Sequence, residues 1–131
     1  IPSACKDKLP RPDISTPKNM VEPENHAYSF ENPPVFKKEG ELRFIDGKTS
    51  DLISTIDIEI ADTDFDRALG LMFRPVMKEN HGMLFLFEEE VIQSFWMRNT
   101  IISLDILYVN SKGKIVSIYK NTETQSDKSL P

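Results

Sequence analysis

Ile56-Asp57-Ile58-Glu59-Ile60 is the stretch on which the fold class turns. Isoleucines alternate with acids, the period of a half-buried strand with one apolar and one wet face. Just downstream, Thr63-Asp64-Phe65-Asp66 has a capping-box pattern, with Asp66 in the place of the usual Glu or Gln. Gly70 stands where a glycine past a helix C-terminus belongs. The spacing predicts a short helix at about 63–69, and its acidic first turn suits the helix dipole. Pro75 follows, so 70–77 reads as a loop. Gly82-Met83-Leu84-Phe85-Leu86-Phe87 is apolar on both faces, as in a central, covered strand.

Glu88-Glu89-Glu90 ends that run as a solvated turn. Further strands are expected at Ser94 to Arg98, Leu104 to Val109 and Lys114 to Lys120, the last two joined by the turn Asn110-Ser111-Lys112-Gly113. Short strands, one helix and tight turns predict a mostly β fold. The expected form is a compact antiparallel β-sandwich or barrel-like domain with one short α-helix, and no repeats are present.

The chain before this region is different. Of nine prolines in 131 residues, seven lie in the first 34, which contain no glycine. Apolar residues there are scattered without a period, the composition of a disordered, Pro-rich tether. The expected division is 1–40 as signal remnant and tether, and 41–131 as a single domain. Residues 1–40 carry no net charge, so the formal charge of −5 belongs to 41–131. That acidity argues against a nucleic-acid partner, which requires a basic stripe. No apolar run approaches the roughly 20 residues of a membrane-spanning helix. At the other end, 121–129 is polar and aperiodic, and Leu130-Pro131 reads as a truncated end.

The first residue is Ile1, so a preceding segment is expected to have been trimmed. Ser3-Ala4-Cys5 resembles the end of a bacterial lipoprotein signal, where small residues precede a lipidated cysteine; three places before that cysteine stands Pro2. A multiply acylated Cys5 would anchor the domain stably, with the tether holding it off the bilayer. The expected location is extracytoplasmic, in the periplasm or on the outer surface of a bacterium.

Catalytic signatures are sparse. The chain has no Gly-x-Ser-x-Gly elbow and no glycine-rich phosphate loop. With one cysteine, and with His26 and His81 far apart, no metal site or cofactor is expected. Asp62-Thr63-Asp64-Phe65-Asp66 lacks the glycine and closing Glu of a calcium loop and reads as a helix cap. Met72, Met77, Met83 and Met97 read as core filler.

Ser94-Phe95-Trp96-Met97-Arg98-Asn99-Thr100 stands out. On a strand, Trp96 and Arg98 share a face, and an indole beside a guanidinium suits a saccharide, a carboxylate or an aromatic ligand. In the structural alternative, Trp96 covers the core and Arg98 or Arg74 braces Asp105 or Asp62. Asp105 interrupts the apolar run Ile101–Leu107, so an arginine partner is the simplest expectation.

Together with these residues, Ala61-Asp62-Thr63, Arg67 to Arg74, His81 to Phe85 and Leu104-Asp105-Ile106 resemble, in order and spacing, the prokaryotic family named domain of unknown function 192. The resemblance spans about residues 53–120. It implies a compact β-sandwich or barrel-like domain with a short helix, often exported or membrane-tethered. It also implies a continuation beyond Pro131, into a Pro-Ser turn and a strand of the Tyr-Val-Leu-Glu type, whose loss would expose a sheet edge. It carries no agreed activity.

The leading expectation is a non-enzymatic, lipid-anchored binding or accessory module. Its ligand-binding residues would be Arg74, Trp96, Arg98, Asn99 and Asp105, with Cys5 lipidated. The alternative is a hydrolase of envelope polymers, with Asp105 as acid or base and His81 as a second proton carrier. That reading requires both in one cleft. The third is a structural partner-binding domain, marked by a large exposed apolar patch.

Overall fold

The computed structural model describes residues 28–131 and the backbone of residues 2–6. Among these described residues, six strands and one helix follow in the order β1 (Pro2–Lys6), β2 (Gly40–Ile45), β3 (Leu52–Ala61), α1 (Asp64–Leu69), β4 (His81–Phe85), β5 (Asp105–Val109) and β6 (Ile115–Tyr119). The fold is mostly β with one short helix, and the strands do not close into a barrel. Their order is β2-β3-β4-β1-β5-β6. Two blocks, β2-β3-β4 and β5-β6, are joined through β1.

Among the described strands, antiparallel pairing holds at the two outer hairpins, β2 with β3 and β5 with β6. The inner pairings, β3 with β4 and β1 with both β4 and β5, are parallel. This corrects the expected antiparallel architecture. The reason lies in the connections: residues 62–80 and 86–104 are crossovers long enough to return the chain to the same end of the sheet. In β4, Met83 and Phe85 are buried on one face, while Leu84 on the other is only half-buried, so the expected two-sided covering is partial.

The helix forms as its caps predict. Thr63 is the N-cap and its hydroxyl accepts the Asp66 N–H at 3.0 Å. Gly70 closes the helix at φ 48°, donating its N–H to the Asp66 carbonyl at 2.9 Å. A Cβ at Gly70 would also sit 3.4 Å from the Phe85 ring. Arg67 ties α1 to the end of β4 by donating to the Leu86 carbonyl at 2.8 Å.

The hairpin at Asn110–Gly113 is present as well. Gly113 has φ 81°, and the Asn110 side chain accepts N–H groups from Lys112 and Lys114 at 3.0 Å each. In the β2–β3 turn, backbone N–H groups of Lys48 and Thr49 hold the Asp46 carboxyl below its ordinary range.

Strand register sorts the side chains. Met83 and Ile106 share a level, so Ala61, Met83, Phe85, Ile106 and Tyr108 line one face, and Leu71, Met97 and Leu104 complete the core there. Ile56 and Ile58, on the other face, are buried too. Glu59 lies on the core face, at the level of Met83 and only 8% exposed, against its expected place on a wet face. It is compensated there by Arg74, itself 5% exposed.

Residues 28–39, which the sequence places in the tether, pack on the domain. Phe36 stacks on His81 at 3.7 Å, Phe30 meets Phe73 edge-on at 5.0 Å, and Glu39 accepts the Ile60 N–H at 2.9 Å. The rest of the expected tether, residues 7–27 with His26, lies outside the described residues, as does Ile1. Pro2–Lys6, with Cys5, is a paired strand. No described helix is long and apolar enough to cross a membrane.

Candidate functional site

The Ser94–Thr100 segment departs from the expected strand. Its one bridge joins Phe95 to Leu130. Its backbone groups bond to the end of the chain instead of to the sheet. Phe95 and Leu130 exchange N–H···O bonds at 3.1 and 2.7 Å, Met97 N–H donates to Ser126 at 2.9 Å, and Gln125 N–H donates to Thr100 at 2.8 Å. Residues 121–131, aperiodic in sequence, are thus a structural loop laid against the 94–100 loop. Their order comes from these bonds, which leave no local sequence signal.

Two aromatic and sulfur-bearing side chains fix this segment to the core. Met97 is 2% exposed, and the Phe95 ring lies 4.9 Å from Phe85 and 5.9 Å from Tyr108. The Thr122 hydroxyl accepts the Leu104 N–H at 3.0 Å and donates to the Met97 sulfur at 3.3 Å. Between these anchors the chain turns at Met97–Thr100, with Thr100 N–H on the Met97 carbonyl at 3.1 Å. Asn99 takes φ 52°, a left-handed conformation that asparagine tolerates, and its carbonyl accepts the Phe73 N–H at 2.9 Å.

That turn presents Arg98 outward. Its guanidinium carbon lies 4.6 Å from the Trp96 ring centroid, and its Nε is 3.2 Å from Asp127 Oδ1. The Arg98 side chain is 39% exposed and that of Asp127 61%, so much of this charge faces water. Ser126 and Lys128, the neighbours of Asp127, line an adjoining cleft of about 230 Å³. Met97 and Leu130 supply its apolar wall, and Tyr119, Lys120, Asn121, Thr122 and Glu123 the rest. The cleft therefore offers two ammonium groups, hydroxyls and one carboxylate beside a cation stacked on an indole. Of these, Thr122, Ser126, Asp127 and Lys128 escape a sequence reading because their chain segment has no period.

Of the five expected ligand residues, Trp96, Arg98 and Asn99 share this turn. Arg74 does not join them. It makes a two-point ion pair with Glu59, through Nη1 to Oε2 and through Nη2 to Oε1 at 3.2 Å, inside the core. The expected arginine partner of Asp105 is replaced by backbone: Asp105 Oδ1 accepts the Asn121 N–H at 2.9 Å. Asn121 stands at φ 49°, and this bond caps its turn.

His81 and Asp105 are not brought together. His81 shares the face of Met83, two residues away on β4, whereas Asp105 precedes Ile106 on β5 and points to the opposite face, with β1 between them. Among the described residues, no group of three or more His, Cys, Asp or Glu gathers where it could hold a metal ion.

Comparison with known proteins agrees with this architecture. The chain is similar to a solved protein of Sinorhizobium meliloti described as a "putative transcription regulator", at 33% identity over 69% of this chain and 68% of that one, with a TM-score of 0.65. It is similar also to a protein of unknown function from Novosphingobium aromaticivorans, at 29% identity over 69% of this chain and 72% of that one, with a TM-score of 0.58. No curated protein matches. Residues 45–131 match the family described as "Uncharacterized ACR", DUF192. With that stretch matched, the chain belongs to the domain of unknown function 192 family, as its motifs around α1 and Trp96 imply.

Proposed function

We propose that the domain is a non-enzymatic binding module that takes a small saccharide or carboxylate at the Met97–Thr100 turn and the adjoining cleft. One observation carries the reading: Arg98 lies over the Trp96 ring at 4.6 Å and is held by a largely exposed carboxylate. A ligand carboxylate can displace Asp127 from the guanidinium at little cost, since exposed pairs contribute about 0–1 kcal/mol. A sugar's hydroxyls can hydrogen-bond the guanidinium while its C–H groups pack on the indole ring. Lys120 and Lys128 add positive charge at the rim. No nucleic acid belongs to the reading, in keeping with the net charge of −5.

Membrane anchoring through Cys5 is the second part of the proposal and rests on Ser3-Ala4-Cys5. Lipoprotein maturation would make Cys5 the first residue and remove Pro2, Ser3 and Ala4 from β1. Anchor and paired strand are therefore alternative states of one segment. The mass of the mature protein decides: a species starting at acylated Cys5 supports the anchor, and a species that retains Ser3-Ala4 before an unmodified Cys5 rejects it.

The binding reading is tested by thermal shift with galacturonate, citrate and N-acetylglucosamine, on wild type and Arg98→Ala. At about 100-fold Kd a ligand adds about 2.7 kcal/mol, a rise of several degrees in Tm. The expected result is a rise in the wild type that Arg98→Ala loses, while the unliganded variant melts within a few degrees of wild type. A rise that persists in Arg98→Ala, or no rise with any of the three, rejects the site.

A further inference from the structure

Asp127 is held beside Arg98 by the chain on both of its sides. The Ser126 carbonyl accepts the Met97 N–H at 2.9 Å, and Leu130 exchanges backbone bonds with Phe95. Between those points the Ser129 and Ser94 hydroxyls meet. The Ser126 hydroxyl also accepts the Lys128 N–H at 3.1 Å. These bonds pin the chain around Asp127 to the segment that carries Arg98. Ser126 and Lys128 line the cleft, while Asp127, between them, reaches the guanidinium.

That contact leaves the guanidinium largely unused. Its Nε is 3.2 Å from Asp127 Oδ1, yet among the described residues none of its N–H groups makes an aligned hydrogen bond. Arg74, in contrast, donates to Glu59 through both Nη1 and Nη2. A guanidinium fits a carboxylate best through two parallel N–H···O bonds. Stacking at 4.6 Å over Trp96 already orients the Arg98 fork, so a ligand bears less of the cost of ordering it. A neutral hydroxyl is a weaker acceptor than the carboxylate it would have to replace.

We propose that Asp127 is the specificity-determining residue of this site. It stands in for a ligand carboxylate on Arg98, and so selects acidic sugars of the uronic-acid class over neutral ones. The ligand carboxylate takes the Arg98 fork in two-point geometry and Asp127 turns to water. The sugar's C–H groups pack on the indole, and its hydroxyls meet Ser126 and Lys128. Selection arises because a neutral sugar leaves Asp127 in place. This inference rests on the binding reading above and narrows it to one ligand class.

Trp96 is the only tryptophan, so its fluorescence reports on the site directly. The full chain is titrated with galacturonate, galactose and acetate, as wild type, Asp127→Asn, Asp127→Ala and Arg98→Lys. Wild type is expected to bind galacturonate at least about tenfold more tightly than either galactose or acetate. Both Asp127 variants are expected to bind galacturonate about three- to fivefold more tightly than wild type, the worth of an exposed ion pair, and to melt within a few degrees of it. Arg98→Lys keeps the charge but loses the fork, and is expected to bind galacturonate at least about fivefold more weakly. Wild-type binding of galacturonate that neither Asp127 variant strengthens overturns the inference and leaves the binding reading standing. So does galactose or acetate binding as tightly as galacturonate, or Arg98→Lys binding as tightly as wild type. If neither wild type nor the Asp127 variants bind any of the three, the inference and the binding reading fall together.

Discussion

Glu59 and Arg74 meet inside the core at sequence positions that, read alone, suggest a wet strand face and a ligand-binding cation. Two-point pairing neutralises both charges, though Arg74 Nε is buried without a partner, so desolvation is only partly offset. Arg74→Ala leaves Glu59 buried and alone, and is expected to lower unfolding stability by about 3–5 kcal/mol. The double variant Glu59→Leu/Arg74→Met removes both charges and is expected to recover most of that loss. Denaturant unfolding of the two variants checks this, and a double variant no better than Arg74→Ala would show that packing, and not charge, sets the cost. Arg98 is the contrasting residue. It makes a similar ion pair at the surface, where water screens it, so its removal is expected to cost binding and little stability. The same side-chain type has opposite roles at positions 74 and 98 because burial differs, which one sequence does not display.

At the scale of elements, α1 shows how far local chemistry reaches. With six residues it is too short to be stable on propensity alone. It persists because Thr63 and Gly70 satisfy its ends, and because Ala68 and Leu69 are buried. Thr63→Ala removes the acceptor of the Asp66 N–H and is expected to cost about 1 kcal/mol, read as a lower denaturant midpoint at unchanged slope. Thr63→Asp keeps an acceptor and should restore the midpoint. These ends were legible in the sequence because caps and turns are set by neighbours within four residues. The hairpin at Asn110–Gly113 was legible for the same reason. The Ser94–Arg98 strand was misread because its alternation resembles a strand, while its hydrogen-bond partners lie in residues 126–130.

For the whole molecule, the last residues are part of the core's hydrogen bonding. Thr122 pairs with Leu104 through both backbone and side chain, and Ser126 and Leu130 satisfy Met97 and Phe95. The Tyr108 hydroxyl donates to the Leu130 carbonyl. A chain ending at Asn121 loses all of these, each buried group left unpaired costing about 1–3 kcal/mol. Since whole domains are stable by only about 5–15 kcal/mol, that chain is expected to melt without a cooperative transition and to lose its near-ultraviolet circular dichroism. A cooperative melt near that of the full chain would show that the loop is an ornament on an independent sheet.

By itself the sequence determined the mostly β class, the family, the caps of α1, strands β4 to β6 and the Trp96–Arg98 pairing. All of these depend on period, on turn chemistry or on residues close in the chain. Tertiary structure alone decided that the inner strands run parallel, that β1 occupies the centre, that Arg74 braces Glu59, and that residues 121–131 build a cleft beside Arg98. Each of these is a pairing between distant segments, chosen by which backbone groups and charges would otherwise be buried unsatisfied.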